Sequence, residues 1–138
     1  MQRIVALDVG SVRIGVAVSD PLGMFAQGIA VLQAEGEWLE ELAKILAEYE
    51  EPMILIGLPR RTDGSEGPEA VRMRETAETV KARFPELKVE FWDERFTTTI
   101  AQQALLEADV SRKGRKQKVD KIAATLLLQS YLDRGRAF

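Results

Sequence analysis

The chain has 138 residues, 46% of them apolar and 30% charged, with a net charge of −3, the balance of one compact domain rather than of a disordered or fibrous chain. It has no cysteine and no histidine, which excludes thiol nucleophiles, disulfides, Cys/His zinc sites and Ser-His-Asp triads and leaves carboxylates, Lys, Arg, Tyr, hydroxyls or a carboxylate-held hard metal ion for catalysis. No apolar run is long enough to cross a bilayer and no signal-type segment opens the chain, so the expected location is the cytoplasm.

Residues 3–7, RIVAL, form a nearly continuous aliphatic run suited to a central strand. Asp8 stands where that run breaks, with Gly10 and Ser11 directly behind it. A second run, IGVAVS at 14–19, follows a turn of about five residues and predicts an antiparallel hairpin. After the turn signal Asp20-Pro21-Leu22-Gly23, residues 26–33 give a third strand. The period then changes: Trp38, Leu39, Leu42, Ile45, Leu46 and Tyr49 recur at helical spacing, predicting an amphipathic helix that ends near Pro52.

MILIG at 53–57 reads as a short buried strand, and the Gly-, Pro- and Asp-rich loop LPRRTDGSEGP leads to a helix starting near Pro68, with Met73, Ala77, Val80 and Phe84 as its inner stripe. KVEFW at 88–92 alternates as a strand and runs into Asp93-Glu94-Arg95. Thr99 with Gln102 resembles a capping box that starts a helix through about Glu107. The last helix, from VDKIAATLLLQSYL, places Val119, Ile122, Ala123, Leu126, Leu127 and Ser130 on one stripe, widened by Leu128 and Tyr131. The order βββαβαβαα predicts an α/β fold, a five-stranded mixed sheet with helices on both faces, in a single domain over residues 1–138.

Acids gather at the ends of these elements. Asp8 closes the first strand, Asp93 and Glu94 the fifth, and Asp120 opens the last helix. Strands of such a sheet present ligands at their C-terminal edges, where the three segments can meet. Carboxylates sharing a cleft repel unless a cation compensates, and Mg²⁺ or Mn²⁺, which prefers hard oxygens and bridges phosphates, does so. In a paired-metal site one ion helps generate hydroxide and the other stabilises the departing oxygen. Each acid also has a plainer explanation: Asp8 as a turn former, Asp120 as a first-turn residue favoured by the helix dipole, Glu94 as a partner of Arg95.

The acidic average hides a basic stretch. SRKGRKQKVDK, residues 111–121, carries Arg112, Lys113, Arg115, Lys116, Lys118 and Lys121 against the single acid Asp120. With Gly114 inside it, the stretch is expected to be mobile and to neutralise phosphates beside the acidic corner; without aromatic residues it fits backbone rather than base recognition.

LDVGSVRIGVAVSD, GLPRRTDGSEG, WDERFTT and VDKIAATLLLQSYL resemble, in order and almost end to end, the four blocks of the YqgF/RuvX family. That resemblance implies a ribonuclease H-like fold and a metal-dependent nuclease, described both as a Holliday-junction resolvase and as the nuclease that processes the 5′ end of pre-16S ribosomal RNA. Carried over by motif, Asp8, Glu94 and Asp120 are the catalytic acids and hold Mg²⁺ or Mn²⁺, with Asp93 the weaker candidate of its block. Arg112, Lys113, Arg115, Lys116 and Lys118 would then contact structured RNA or branched DNA, with no membrane partner; a homodimer is among the arrangements the sequence allows. Two other readings stay open. One is a nucleic-acid-binding module on the same fold without catalysis, favoured because the last helix shows only Asp120 before its apolar stretch, where such sites can use a fourth acid. The other is an ATP-binding domain with a DxG phosphate hairpin, for which the chain is too short to supply the second domain such proteins need.

Overall fold

Alternation along the strands sorts side chains into two layers, and the layers differ in size. On β1 (Ile4–Val9), Val5, Leu7 and Val9 face one way while Ile4, Ala6 and Asp8 face the other. On β2 (Arg13–Ser19), Ile14, Val16 and Val18 share the first face and Ala17 the second. The branched side needs thick cover and the small-residue side admits a close-lying helix.

The computed structural model describes residues 2–59, 63–93 and 115–136, the first six and last two positions of the final helix through their backbone only. The remaining elements are β3 (Ala26–Gln33), α1 (Trp38–Leu46), β4 (Met53–Leu58), α2 (Pro68–Arg83), β5 (Val89–Asp93) and α3 (Arg115–Arg136). The five strands form one sheet in the order β3-β2-β1-β4-β5. β1, β2 and β3 are antiparallel neighbours, whereas β4 runs parallel to β1, and β5 to β4. The mixed five-stranded sheet with helices on both faces is thus the observed architecture; the helix expected over 99–107 lies outside the described residues.

Leu42 and Leu46 of α1 and Ala77 and Val80 of α2, with Phe84 just beyond it, cover the branched face. Ala124, Leu127, Leu128 and Leu132 of α3 cover the other, against Ala6, Ala17, Met53 and Leu55. The closest approach is at Gly28 of β3, where an added Cβ would stand 2.9 Å from Thr125 Oγ1 and 3.1 Å from the Lys121 Cβ and carbonyl oxygen. Next to it the β2–β3 register slips between Val16 and Ala17, skipping Ile29, which with Ala30 packs toward the branched core. The one buried polar residue among those described, Ser19, is satisfied: its hydroxyl accepts the Ile4 amide at 2.8 Å.

Three boundaries differ from expectation. β1 continues through Val9, so Asp8 lies inside the strand, paired with Gly15, and the hairpin turn shrinks to residues 10–12. α1 stops at Leu46, followed by a turn in which Glu51 takes a positive φ of 43° before Pro52. α3 begins at Arg115, so residues 115–118 are helical rather than a loose approach, and Asp120 falls in the second turn, past the reach of the end-dipole argument. After Gly114 the run is Arg, Lys, Gln and Lys, all good helix formers with no breaker among them. The inner stripe of α3 is also rotated: Ala124 and Leu132 are buried, while Ile122, Ala123 and Leu126 are only half-buried. A helix apolar on most sides leaves its phase undetermined by sequence.

Candidate active site

Asp8 reaches its position through strand pairing. It is the fifth residue of β1, half-buried, and by alternation shares the α3 face with Ile4 and Ala6. Its β2 partner is Gly15. On the β4 side the ladder pairs Leu7 with Ile56, which makes Gly57 the next position along, and Gly57 is paired in turn with Trp92 of β5. Asp8 is therefore flanked on both neighbouring strands by residues without side chains. That double glycine flank escapes a reading of the sequence because it appears only once the register is known.

The turn behind Asp8 is closed by the backbone: the Gly10 amide donates to the Arg13 carbonyl at 2.9 Å. A Cβ on Gly10 would stand 2.9 Å from that same oxygen, so close approach is what requires glycine there.

The start of α3 lies at the same edge. Thr125 and Lys121 lie against Gly28, while Gln129, one turn on, accepts the Ala26 amide at 2.9 Å and donates to the Met24 carbonyl at 2.9 Å. The helix thus runs from the C-terminal edge of β1 toward its N-terminal edge, and the backbone of residues 115–120 is on the Asp8 side. On β5, Trp92 turns to α3, its indole donating to the Ser130 hydroxyl at 3.2 Å and its ring meeting Tyr131 edge-on at 5.2 Å. Glu90 shares that face, accepting the Tyr131 hydroxyl at 3.2 Å, and burial together with this carboxylate pushes the Tyr131 phenol up from its ordinary value.

Val89 and Phe91 pack into the opposite, branched core, so Asp93 follows them to the α2 face. Asp8 and Asp93 therefore stand on opposite faces of the sheet. Glu94, Arg112 and Lys113 lie outside the described residues; Asp120, Arg115, Lys116 and Lys118 are placed by the helical backbone of α3. Among the described residues no group of three acidic side chains forms a metal-binding cluster. The donor chemistry nevertheless fits a hard cation: an oxygen ligand at a glycine-cleared strand edge, in a chain without thiol or imidazole.

A cleft of about 410 Å³ opens at this edge toward α2, lined by Asp8, Val9, Gly10, Ser11, Pro59, Glu69, Arg72, Met73 and Thr76. The α2 helix reaches it because Ala70 and Met73 pack on Leu58, with Val9 and Phe91 beside them. In the loop before α2, Gly64 takes a positive φ of 89° and Asp63 accepts the Ser65 amide at 2.9 Å and its hydroxyl at 2.7 Å, a local turn that sets the entry to the helix.

The family model described as "RuvX: Holliday junction resolvase" matches residues 2–134. A relative from Clostridium botulinum (strain Eklund 17B / Type B), named "Putative pre-16S rRNA nuclease", is 50% identical over 134 residues, covering 96% of this chain and 97% of the relative. A second, from strain Hall, carries the same name at 46% identity over 95% of this chain and 96% of its own length. Among solved structures, RuvC of T. thermophilus in complex with a Holliday junction substrate aligns over 98% of this chain and 97% of its own, with a TM-score of 0.56 at 13% identity. The fowlpox virus resolvase in complex with Holliday junction DNA aligns over 96% and 98%, with a TM-score of 0.54 at 17% identity. The fold is the ribonuclease H-like one these resolvases share.

Proposed function

Because the chain belongs to the RuvX family, we propose that it is a divalent-metal-dependent nuclease that hydrolyses phosphodiester bonds of structured nucleic acid, with the 5′ end of a pre-16S rRNA precursor as its principal substrate and the four-way DNA junction as the other candidate. The relatives at about half identity carry the ribosomal name over nearly their whole length, which favours the precursor.

The observation that carries the reading is Asp8: a half-buried carboxylate inside a strand, flanked by Gly15 and Gly57 on the two neighbouring strands, at the edge where α3 begins. Asp8, Glu94 and Asp120 would hold Mg²⁺ or Mn²⁺. Asp93, on the opposite face from Asp8, leaves Glu94 as the acid of that block. When bound, the ion supplies the positive charge that lets a phosphodiester share a cleft with carboxylates and polarises the phosphoryl group under attack. The residues' own part is positional: β1 fixes Asp8 through its ladder bonds, and Arg112, Lys113, Arg115, Lys116 and Lys118 neutralise backbone phosphates at the approach to it.

A cleavage screen tests the reading. Precursor rRNA, single strands and four-way junctions are incubated with Mg²⁺ or Mn²⁺ and wild-type or Asp8→Asn protein. A defined product end from the precursor, lost in Asp8→Asn and on chelation, is the expected result. Binding without cleavage under either metal would overturn it in favour of a non-catalytic binding module, and full activity in Asp8→Asn would remove Asp8 from the site.

A further inference from the structure

The cleft on the α2 side of β1 carries few charges. Among the described residues of its lining Arg72 is the one cation and Glu69, on the same helix, an acid, while Asp8 borders it from a strand position that faces α3. Arg72 is exposed in the second turn of α2 and its guanidinium forms no ion pair among the described residues. Two residues on, Arg74 is fully committed. It is bonded through two nitrogens to the Glu66 carboxylate, with Nε to Oε1 at 2.7 Å, and lies 5.2 Å from the centre of the Phe91 ring. The Glu66 hydrogen bond and charge push its pKa up further. One arginine thus ties α2 to the loop and to β5, while its exposed neighbour lines the open cleft. Ser11 adds a hydroxyl to the same wall, whereas the Thr76 hydroxyl donates to the Arg72 carbonyl at 3.0 Å and the Gly10 amide to that of Arg13.

We propose that Arg72 is a substrate-binding residue that grips a backbone phosphate, so that the nucleic-acid strand crosses the sheet edge at Asp8 and continues along the α2 face. Two contacts then hold the strand on opposite sides of the sheet, the basic start of α3 on one and Arg72 on the other. The inference rests on the nucleic-acid substrate of the function proposed above. Its physical core is simple: a polyanion passing a strand edge that bears Asp8 and a cleft that bears Glu69 needs a cation to offset them, and among the described residues of the lining Arg72 supplies it. A guanidinium also offers a phosphate two parallel donors, which a lysine does not.

Binding is measured by fluorescence anisotropy in EDTA, so that no cleavage intervenes, across a salt series. The probes are a labelled single-stranded RNA and a labelled four-way DNA junction. Arg72→Ala should weaken binding about tenfold and flatten the dependence of log Kd on log salt by about one phosphate contact. Arg72→Lys should recover part of the affinity, and Glu69→Gln should tighten binding by about twofold because a repelling charge leaves the cleft. Lys44→Ala, which removes an exposed cation from the last turn of α1, should change nothing. The RNA and DNA arms show which backbone the cleft prefers. Wild-type affinity and salt slope in Arg72→Ala, or an equal loss in Lys44→Ala, would overturn the proposal. The two readings fail separately: cleavage that survives Arg72→Ala with unchanged binding sinks Arg72 alone, whereas Arg72-dependent binding with no cleavage under any metal sinks the nuclease alone.

Discussion

Two aspartates stand beside hairpin turns at opposite ends of one sheet, and their surroundings differ. Asp20 follows β2, and its Oδ1 accepts the Met24 amide at 2.7 Å and the Phe25 amide at 3.3 Å. Its backbone closes the same loop, with the Asp20 amide on the Phe25 carbonyl at 2.9 Å and the Gly23 amide on the Asp20 carbonyl at 3.0 Å. Asp8 lies within β1 instead, and the turn behind it is closed by Gly10 and Arg13. The difference is one of position: the turn's own N–H groups take up the Asp20 oxygens, whereas Asp8 is set on one face of the sheet by the strand ladder. Asp20 presents the exposed Leu22, Met24 and Phe25 on a fixed tip.

The sharpest way to break the comparison is to neutralise each acid. Asp8→Asn should lower metal-dependent cleavage on the order of a hundredfold or more with the melting temperature unchanged. Asp20→Asn should leave cleavage intact and lower the melting temperature slightly. If the two substitutions had the same effect on activity, position in the sheet would carry no functional meaning.

Next in size is the contact that sets α3 against the sheet. A Cβ at Gly28 meets the Thr125 hydroxyl at 2.9 Å and the Cβ and carbonyl oxygen of Lys121, the residue after Asp120, at 3.1 Å. Gly28→Ala should cost about 1–3 kcal/mol by overpacking and reduce cleavage further than the loss of folded protein explains, because it displaces the start of α3 relative to Asp8. Adding Thr125→Ala removes the nearest atom and should restore part of both, a coupling that thermal unfolding of the double variant measures. A Gly28→Ala protein as stable and active as wild type would show that helix position is not critical.

At the Asp20 end the matching contact is Gln129, which accepts from Ala26 and donates to Met24 and to Asp133 Oδ1. Gln129→Ala should cost about 1 kcal/mol, speed amide exchange at Ala26 and spare cleavage. Loss of activity there would mean that the tip and the Asp8 edge are mechanically linked through α3.

The strands and the inner stripe of α2 were legible in the sequence because alternation and helical period each had one apolar side: Met73, Ala77, Val80 and Phe84 are all buried as the spacing predicts. The phase of α3 was not, since Ile122, Ala123, Ala124, Leu126, Leu127 and Leu128 give apolar residues on most sides and only the small residues Ala6, Ala17 and Gly28 decide which of them faces inward. For the site, the sequence named Asp8 but neither its glycine flank nor Arg72. Both depend on register or on packing between segments distant in the chain, and neither leaves a local pattern.

The smallest expected effect concerns protons. The Met24 amide holds the Asp20 carboxyl below its ordinary value of 3.8; desolvation opposes it, and the Phe25 and Gly23 amides and the charge of Arg3 add to the lowering. A carboxyl whose folded pKa lies below its unfolded one stabilises the fold above the unfolded value and loses that contribution as pH falls through the folded one. The gap in melting temperature between wild type and Asp20→Asn should therefore be constant from neutral pH down to the ordinary carboxylate range and close below 3.8. A gap that persists at the acid end would trace the role of Asp20 to the shape of its side chain in the turn rather than to its charge. Cleavage, measured across the neutral range in both proteins, should follow one and the same pH profile, because the acid proposed to serve the substrate, Asp8, is at the other end of the sheet.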